Sequence, residues 1–297
     1  MLRIEKVGGK SVLMESEIPF FPVFKKGKVR EVYDAGDFLL IVSTDRISAF
    51  DVIMQTGVPE KGIYLTKQSS FWFKFLEEEG VETHFISDDL EDIAEITGES
   101  RLLELDWLKG RVMLAKKAEL LPVEAVCRFR VFGSAITALK EDSWIWDKVE
   151  IDGAVEEGAL IKNGPVFTPT EKSETDDKIS YAQMVSILKD ESLASQVKER
   201  TIEIFKKCND YAQKEFGFEI ADGKIEWGIK DGQLILIDET FTSDSARFIP
   251  DKSKEYFRKW LKDNGLKGKS VELPEEIALN IAALYRSQCD DMKLFEN

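Results

Sequence analysis

Histidine is almost absent from this chain of 297 residues, in which His84 is the only one. A single imidazole excludes a multi-histidine metal site and any Ser-His-Asp triad built on another histidine. His84 lies in the strand-like sequence THFIS, where we interpret it as a packed residue rather than a catalytic group. Cysteine is also scarce, because only Cys127, Cys208 and Cys289 occur, far apart in the chain. Such a set is typical of reduced, buried thiols in a cytoplasmic protein.

Long apolar runs and positive charge are also in short supply. No apolar run approaches the roughly 18 residues of a membrane-spanning helix, and the first ten residues, MLRIEKVGGK, lack the apolar core of a signal peptide. Lys+Arg number 41 against 56 for Asp+Glu, which gives a net charge of -15. We therefore expect no nucleic-acid or anionic-membrane partner, although a local basic pocket remains possible. The 43% hydrophobic and 33% charged content is typical of a soluble globular protein.

The most informative stretch that the chain does contain is residues 221–248, which predicts a β-hairpin. In the segment KIEWGI, apolar residues alternate with polar or small ones, as in a strand with one buried face. Asp231-Gly232 follows, a favoured two-residue hairpin turn. The return strand, residues 234–237, is apolar at every position, so we expect it to be buried on both faces.

Four acids lie at the open end of this predicted hairpin. Asp238 and Glu239 directly follow the return strand, and Asp222 and Glu226 lie on the facing strand. Carboxylates that converge repel one another unless a cation sits among them, and magnesium prefers oxygen ligands that it shares with phosphates. The pattern predicts a magnesium site, with solvated acids at a hairpin mouth as the alternative.

A basic segment, residues 25–34, is a first candidate for anion binding. It has the sequence KKGKVREVYD, in which Gly27 separates basic residues just before a strand. A glycine there lets backbone amides and ammonium groups approach a phosphate. The spacing fits neither a Walker A loop nor a GxGxxG motif. A basic surface turn is the alternative.

A second candidate for anion binding is the segment VCRFRVFGS, residues 126–134. On a strand, Arg128 and Arg130 share one face, and Gly133-Ser134 then precedes a helix. Two guanidinium groups beside a helix N-terminus suit an anion such as phosphate. The alternative is a solvated face of an edge strand.

The remaining pattern predicts the α+β class. The boundary that we predict near residue 118 separates a strand-rich N-terminal domain, 1–118, from a mixed α+β domain, 119–297. Thr66 is predicted to cap the first helix, which ends before Gly80. The predicted strands are residues 28–34, 38–43, 111–117 and 123–132. The predicted helices are 66–79, 134–141, two within 180–216 that break near 190–192, 252–263 and 274–291.

The order of the motifs is more specific than any one of them. GKVREVYD, STDRISAFDVIM, GVPEKGIYLTKQSSFWF, VCRFRVFGSA, FTPTEKSE, IADGKIEWGI and LILIDETFTSDSARF follow one another along the chain. Together they closely resemble the SAICAR synthetase family, in full phosphoribosylaminoimidazole-succinocarboxamide synthase, over about residues 20–250.

The resemblance implies an ATP-dependent and magnesium-dependent carbon–nitrogen ligase of purine biosynthesis. Members join L-aspartate to the carboxylate of CAIR, a carboxylated aminoimidazole ribonucleotide, and release SAICAR, ADP and phosphate through an acyl phosphate. The implied fold has an N-terminal antiparallel-sheet domain and a larger α+β domain, with ATP in the cleft between them. The C-terminal helices are then expected to pack on the second domain.

The resemblance also implies roles for individual residues. Lys28, Glu226 and Asp238 would be catalytic, and the last two would hold magnesium. The ATP phosphates would contact Gly27, Lys28, Val29 and Arg30, together with Glu226 and Asp238. The substrates would contact Arg128 and Ser134 on the phosphate side of CAIR, then Asp222, Lys224, Asp244, Ser245 and Arg247, with Asp51 and Asp176 as further polar or metal-linked contacts.

The chain departs from the family pattern in the loop before residue 179. That loop is shorter than usual, and Thr175 stands where a histidine is common. Gly223 and Ser243 replace a common threonine and a common proline. Two other functions stay open. One is a related carboxylate–amine ligase with other substrates, and the other is a nucleotide-binding protein without turnover, for which the missing histidine is the motive. The sequence leaves a monomer and a homo-oligomer equally open.

Overall fold

The computed structural model describes residues 1–173 and 177–295. Its strands are β1 (Arg3–Val7), β2 (Lys10–Glu15), β3 (Val23–Lys26), β4 (Arg30–Ala35), β5 (Phe38–Ser43), β6 (Ser48–Ala49), β7 (Val52–Ile53), β8 (Phe85–Ser87), β9 (Val112–Lys116), β10 (Glu119–Arg128), β11 (Val166–Phe167), β12 (Thr170–Glu171), β13 (Glu219–Lys230), β14 (Gln233–Ile237) and β15 (Ala246–Ile249). Its helices are α1 (Lys61–Glu78), α2 (Leu90–Thr97), α3 (Ser134–Lys140), α4 (Tyr181–Leu188), α5 (Glu191–Tyr211), α6 (Glu255–Asp263) and α7 (Glu275–Asp291). A π-helical turn, Ala212–Phe216, follows α5.

Two antiparallel sheets form the framework. The first has the strand order β3-β4-β5-β9-β8, and the second has the order β11-β10-β13-β14, with β12 also paired to β10 and β15 to β13. The hairpins β1-β2 and β6-β7 lie outside both sheets. This mixture of antiparallel sheets and helices confirms the α+β class. None of the helices in the described ranges is long and apolar enough to cross a membrane.

The hairpin predicted at residues 221–248 is the centre of the second sheet. Asp231 and Gly232 both have positive φ, 51° and 78°, which is the conformation that a type I′ turn requires. This turn sets a register in which Glu226 lies opposite Ile237 and Trp227 opposite Leu236. The register places the acids that follow β14 beside Glu226.

The two sheets are joined by a short backbone seam. The amide of Leu236 in β14 donates to the carbonyl of Glu82 at 2.9 Å, and the amide of His84 donates back to Leu236 at 2.9 Å. The His84 carbonyl then accepts from Lys116 of β9 at 2.7 Å. One apolar core, which includes Trp72 of α1, extends across this seam. The division into domains 1–118 and 119–297 stays a prediction.

Helix α1 begins earlier than the sequence pattern indicates. Thr66 was predicted to cap the helix, but its hydroxyl donates to the carbonyl of Gly62 at 2.9 Å, within the first turns. The amide of Gly62 donates instead to the carboxylate of Asp45 at 2.9 Å. An acid from outside the helix therefore stabilises its N-terminus, and no local pattern reveals such a partner.

The packing of the C-terminal helices also differs from the prediction. Phe257 and Leu261 of α6 and Tyr285 of α7 pack mainly against the segment that precedes and begins α1, which includes Ile47 and Leu65. They pack there because that segment has buried apolar side chains that neither sheet covers. These helices therefore close over the N-terminal part of the chain rather than only over the second sheet.

The pKa of His84 tests how the side chains pack at the seam between the two sheets. Its ring lies 5.1 Å from the ring of Phe73, and burial lowers its pKa to about 4 from an ordinary 6.5. Because the pKa is lower in the folded than in the unfolded chain, stability is full above pH 6.5 and falls as pH drops towards 4. We expect a loss of about 2 kcal/mol between pH 8 and pH 5 from this group.

The measurement is proton NMR of the imidazole, which is unambiguous because the chain has one histidine. In the ligand-free folded protein the resonance should stay unshifted from pH 8 to pH 5. The same resonance in urea should titrate near pH 6.5, which is the internal control. A folded-state midpoint above pH 6 would show that the side chain is not packed as described.

Candidate active site

A cleft of about 740 Å³ lies between the two sheets. The loop between β3 and β4 forms one wall, and β10, β13 and residues 238–247 form the other. Most of the site residues implied by the sequence line it. They are Gly27, Lys28, Val29, Arg30, Asp51, Arg128, Asp222, Lys224, Glu226, Asp238, Asp244, Ser245 and Arg247. Ser134 begins α3 and is not part of this lining, and Asp176 lies outside the described residues.

The loop between β3 and β4 is held by its carbonyl groups. The guanidinium of Arg46 donates to the carbonyls of Lys28 and Gly27 at 2.9 and 3.1 Å. The amide of Thr44 donates to the carbonyl of Val29 at 3.0 Å. Because these carbonyls are engaged by the protein, they are not free to face an anion.

Two backbone amides of this loop differ from its carbonyls in their hydrogen bonding. Within the ranges that the structure covers, the amides of Lys28 and Val29 make no hydrogen bond. The Lys28 ammonium, half exposed, pairs with the carboxylate of Asp51. Free amides and exposed ammonium groups are donors for phosphate oxygens, and the phosphate-binding role predicted for the loop stays a prediction.

The acids after β14 face this loop across the cleft. Arg30 of β4 donates through Nη2 to Asp238 Oδ2 at 2.9 Å and to Glu239 Oε1 at 3.0 Å. Burial would raise the pKa of Asp238, but Arg30 and nearby lysines outweigh it and lower the pKa to about 2. Asp238 also has a φ of 71°, a left-handed conformation that aspartate tolerates better than most residues. This acid is therefore ionised and fixed in position.

Glu226 belongs to a second set of paired charges. Its carboxylate accepts from Lys172 at 2.5 Å and lies 3.3 Å from Lys224, which donates to Glu124 at 2.6 Å. Burial and the neighbouring Asp238 raise the pKa of Glu226, against the two lysines. Two carboxylates that disfavour each other's charge suit a bound divalent cation.

The predicted convergence of four acids is only partly correct. Asp222 lies apart from the others, because it accepts from Arg128 at 2.5 Å and from Arg247 at 2.9 Å. The carboxylate of Glu239 accepts hydrogen bonds from Arg30 and from the hydroxyl of Thr242, the latter at 2.7 Å. The pair that remains beside the cleft for a cation is Glu226 and Asp238.

The predicted pairing of Arg128 with Arg130 is wrong. The amides of Phe129 and Arg130 both donate to the carbonyl of Ala221, so the regular alternation ends at Arg128. Arg130 binds Glu219 at 2.7 and 2.8 Å and lies outside the cleft lining. The second guanidinium beside Arg128 is that of Arg247, which shares Asp222 with it.

Asp244 is surrounded by donors from three helical regions. Its Oδ2 accepts from Lys61 at 2.8 Å and lies 3.1 Å from the ammonium of Lys254, and its Oδ1 accepts from Tyr285 at 2.7 Å. Burial would raise the pKa of Asp244, but Lys254 and Lys61 hold it well below its usual range. Asp244 thus lies in the cleft lining and fixes these three side chains around it.

Several residues that line or support the cleft were missed in the sequence. Glu124, Lys172 and Lys254 are paired with predicted site residues, but their partners lie far away in the chain. Lys61 had a usable signal, since it lies on the same helix face as Leu65 and Gln68 and is fully buried. A buried lysine on an apolar helix face requires a counter-ion.

This geometry defines a class of enzyme before any comparison. An amide-rich basic loop faces paired carboxylates across a cleft in an α+β fold, which is the arrangement expected of a phosphoryl-handling enzyme. A family model described as SAICAR synthetase matches residues 23–273. The chain therefore belongs to the SAICAR synthetase family.

Similar proteins support this membership over most of the chain. The phosphoribosylaminoimidazole-succinocarboxamide synthase of Geobacter sulfurreducens is 40% identical over 291 residues, which cover 92% of this chain and 95% of that protein. The synthase of Thermodesulfovibrio yellowstonii is 38% identical over 292 residues, covering 93% and 97%. The resemblance stated from the motifs and the ligase interpretation are thus confirmed.

Solved structures show the same fold. The SAICAR synthase of Saccharomyces cerevisiae, described in complex with SAICAR, has a TM-score of 0.79 and 34% identity, and the match covers 94% of this chain and 97% of that one. A SAICAR synthetase described in complex with ADP has a TM-score of 0.66 at 21% identity, covering 90% and 96%. The second similarity shows the fold alone.

Arg46 is the residue on which the loop geometry depends. Arg46→Lys keeps a positive charge beside Glu31, but a single ammonium cannot hold the carbonyls of Lys28 and Gly27 together. We expect the dissociation constant for ATP to rise about tenfold, or about 1.4 kcal/mol, while that for CAIR is unchanged. Calorimetric titration with each ligand measures both values.

The control for folding in this experiment is the thermal unfolding midpoint of the variant in the absence of ligand. Equal weakening of ATP and CAIR binding would indicate general damage to the fold. An unchanged ATP affinity would contradict the positioning role of Arg46.

Proposed function

We propose that this chain ligates L-aspartate to the carboxylate of CAIR, with consumption of ATP and formation of SAICAR, ADP and phosphate in purine biosynthesis. The observation that carries the proposal is the cleft, which is lined by residues 28 and 29, whose amides make no hydrogen bond within the described ranges, and by the acids Glu226 and Asp238. The yeast relative, described with SAICAR, supports the same product for a chain with which it shares 34% identity.

The reaction needs activation because a carboxylate is a poor electrophile. In the first step a CAIR carboxylate oxygen attacks the terminal phosphorus of ATP, the bond to ADP breaks, and an acyl phosphate forms. In the second step the neutral amine of aspartate attacks the acyl carbon, a C–N bond forms, and phosphate leaves with the bonding electrons while the nitrogen loses a proton. Neither step uses a covalent enzyme nucleophile, so positioning and charge neutralisation are the protein's contribution.

Nucleotide phosphates are assigned to the loop between β3 and β4. Gly27 permits close approach of the backbone, and Lys28 and Val29 offer the unpaired amides. The ammonium of Lys28 can exchange Asp51 for a phosphate, because this ion pair is solvent-exposed and weak. Arg30 supplies a guanidinium at the inner end of the loop.

Glu226 and Asp238 fit magnesium by their chemistry. Both offer carboxylate oxygens, and burial, together with the charge of Asp238, raises the pKa of Glu226. In the described part of the chain no three acidic, histidine or cysteine side chains form a metal cluster, so phosphate oxygens and water would complete the coordination. Bound there, the ion would neutralise charge on the transferring phosphate.

The far end of the cleft is assigned to CAIR and aspartate. Arg128 and Arg247 lie together on Asp222, where their guanidinium groups can reach the CAIR phosphate. Lys224 and Ser245 line the wall between them and the acidic hairpin. Other substrate contacts in the proposal are Ser134, next to Gly133, and Asp176; Asp244 contributes through the lysines that it holds.

Two competing functions remain testable. One is a carboxylate–amine ligase with other substrates, and the other is a nucleotide-binding protein without turnover. The relatives that span 92% of this chain favour the SAICAR reaction over both. The motive for the second, Thr175 in place of histidine, lies outside the described residues. We further propose a cytoplasmic location and small-molecule partners only.

Turnover with hydroxylamine tests the acyl-phosphate route. When hydroxylamine replaces aspartate, we expect ADP and a CAIR hydroxamate in equal amounts, because the activated carboxylate reacts with either amine. Mass spectrometry detects the hydroxamate, and omission of CAIR is the control. Formation of ADP from CAIR and aspartate without any amide or hydroxamate would instead favour a kinase.

Asp238→Asn tests the metal assignment. The change keeps the side-chain shape and removes one charge, so Mn²⁺, used as a magnesium probe, should bind the ADP-loaded protein at least tenfold more weakly by electron paramagnetic resonance. Turnover should fall by orders of magnitude. Asp231→Asn at the exposed hairpin turn is the matched control and should change neither quantity. Wild-type metal affinity in Asp238→Asn would remove this residue from the metal site.

A further inference from the structure

Two tryptophans lie outside the cleft, in the segment that follows α3. The rings of Trp144 and Trp146 meet edge to face, with centroids 4.7 Å apart. The indole N–H of Trp144 donates to the carbonyl of Asp147 at 2.8 Å, within its own turn. The indole N–H of Trp146 donates instead to the carbonyl of Ile179 at 2.9 Å, 33 residues further along the chain. Trp146 therefore connects this segment to a distant part of the fold.

The partner of Trp146 belongs to a short antiparallel ladder beside the cleft. We call residues 168–172, which include β12, the entry arm, and residues 177–179 the exit arm. In the entry arm, Thr170 lies opposite Glu124 of β10 on one side. On its other side, Thr170 lies opposite Lys178 of the exit arm. The exit arm is thus held to the second sheet through the entry arm.

A proline interrupts the next rung of this ladder. Residues 169 and 179 face each other there, and such a pair ordinarily exchanges two backbone hydrogen bonds. The amide of Ile179 donates to the carbonyl of Pro169 at 3.2 Å, but a proline has no N–H to donate in return. The carbonyl of the buried residue Ile179 therefore lacks its ladder donor. The indole N–H of Trp146 takes the place of that donor.

The entry arm carries a charged side chain into the cleft. Lys172 donates to Glu226 at 2.5 Å, and its ammonium lies 3.6 Å from Glu124. Lys172 lines the cleft, whereas Trp146 does not. The amide of Lys172 donates to the carbonyl of Pro122 in β10 at 3.1 Å, which fixes this arm from one side. The exit arm fixes it from the other side, so the position of Lys172 depends on the rung that Trp146 completes.

We propose that Trp146 is a positioning residue whose indole N–H holds the two arms together and so places the Lys172 ammonium beside Glu226. Trp146 acts through the backbone of Ile179 and does not touch the reacting atoms. The inference rests on the proposed function, in which Glu226 lies where the phosphoryl group is transferred.

Trp146→Phe is the first test, because it removes the N–H and keeps an aromatic ring. The indole lines a cavity of about 210 Å³, so the smaller ring should be accepted without repacking of the core. A buried carbonyl loses its donor, and we expect the Ile179 amide to exchange with deuterium about tenfold faster, measured by NMR. Trp144→Phe is the matched control, since the N–H that it removes bonds within its own turn. It should leave this exchange rate unchanged.

The reactivity of the Lys172 ammonium reports its placement without turnover. With limiting acetic anhydride, mass spectrometry should show Lys172 acetylated at least threefold faster in Trp146→Phe than in the wild type, relative to the other lysines. An ammonium that is paired with Glu226 and partly buried reacts slowly, and displacement of the entry arm exposes it. Trp144→Phe should again resemble the wild type.

Turnover tests whether the placement of Lys172 matters for the reaction. In Trp146→Phe, kcat/KM for CAIR should fall at least fivefold, while the dissociation constant for ADP changes less than twofold. In a Lys172→Met background the same change should cost less than twofold, because the side chain that Trp146 positions is already absent. A role in overall stability alone would not produce this dependence on Lys172.

Pro169→Ala tests the rung from its opposite side. The change supplies a backbone N–H where the proline has none, so Trp146→Phe should lose most of its effect on exchange and on kcat/KM in this background. If Trp146→Phe alone fails to fold, the double variant should fold for the same reason. The thermal unfolding midpoint of each variant is the control for folding.

Three results would overturn the inference. An unchanged exchange rate at Ile179 in folded Trp146→Phe would show that the indole does not hold the arms. Faster exchange with unchanged Lys172 acetylation and kcat/KM would leave Trp146 a structural role. A loss of activity that persists in full in the Lys172→Met background would show that Trp146 acts by another route. Failure of the proposed function is distinguishable, because the wild type would then lack turnover while exchange and acetylation still report on the ladder.

Discussion

The ion pair between Arg30 and the acids Asp238 and Glu239 is the interaction on which the cleft depends. It joins a strand of the first sheet to the end of the central hairpin in the second, at 2.9 and 3.0 Å. Burial would lower the pKa of Arg30, and its two acidic partners more than reverse that effect. Loss of either side would leave a poorly solvated charge without a partner, which costs more than the intact pair contributes. Together with the seam at Leu236, this contact fixes the distance between the cleft walls.

Charge is distributed unevenly along the cleft, and this organises the chemistry. At the hairpin end, the carboxylates Glu124, Glu226, Asp238 and Glu239 meet the cations Arg30, Lys172 and Lys224, and three further lysines, at positions 25, 26 and 28, line the same end of the cleft. At the inner end, the cations Lys61, Arg128, Arg247, Lys254 and Arg258 meet the carboxylates Asp222, Asp244 and Glu255. A metal–nucleotide complex is favoured at the first end and anionic substrates at the second, although the whole chain carries a net charge of -15.

The sequence predicts the parts of this site that local chemistry determines. Asp231-Gly232 sets the hairpin register, and that register places Asp238 beside Glu226, so the closeness of these two acids could be inferred without coordinates, while their role in binding a metal stays a prediction. The partners of Asp222 and the capping of α1 by Asp45 could not be inferred from the sequence, because the residues involved are distant in the chain. The error at Arg130 also comes from a distant residue. The carbonyl of Ala221 in β13 accepts from the amides of both Phe129 and Arg130, so the regular alternation of the strand ends there.

Asp244, implied by the motifs as a substrate contact, lines the cleft and also joins three helical regions. A fully buried lysine at position 61 requires a counter-ion, and Asp244 supplies it from the loop after the hairpin. The same carboxylate also holds Lys254 and Tyr285, so α1, α6 and α7 meet at one side chain. Since a single carboxylate cannot balance two ammonium groups, the arrangement that fixes the wall also leaves the wall positively charged. The contacts of Asp244 therefore stabilise the cleft wall and leave a positive charge that can attract an anion.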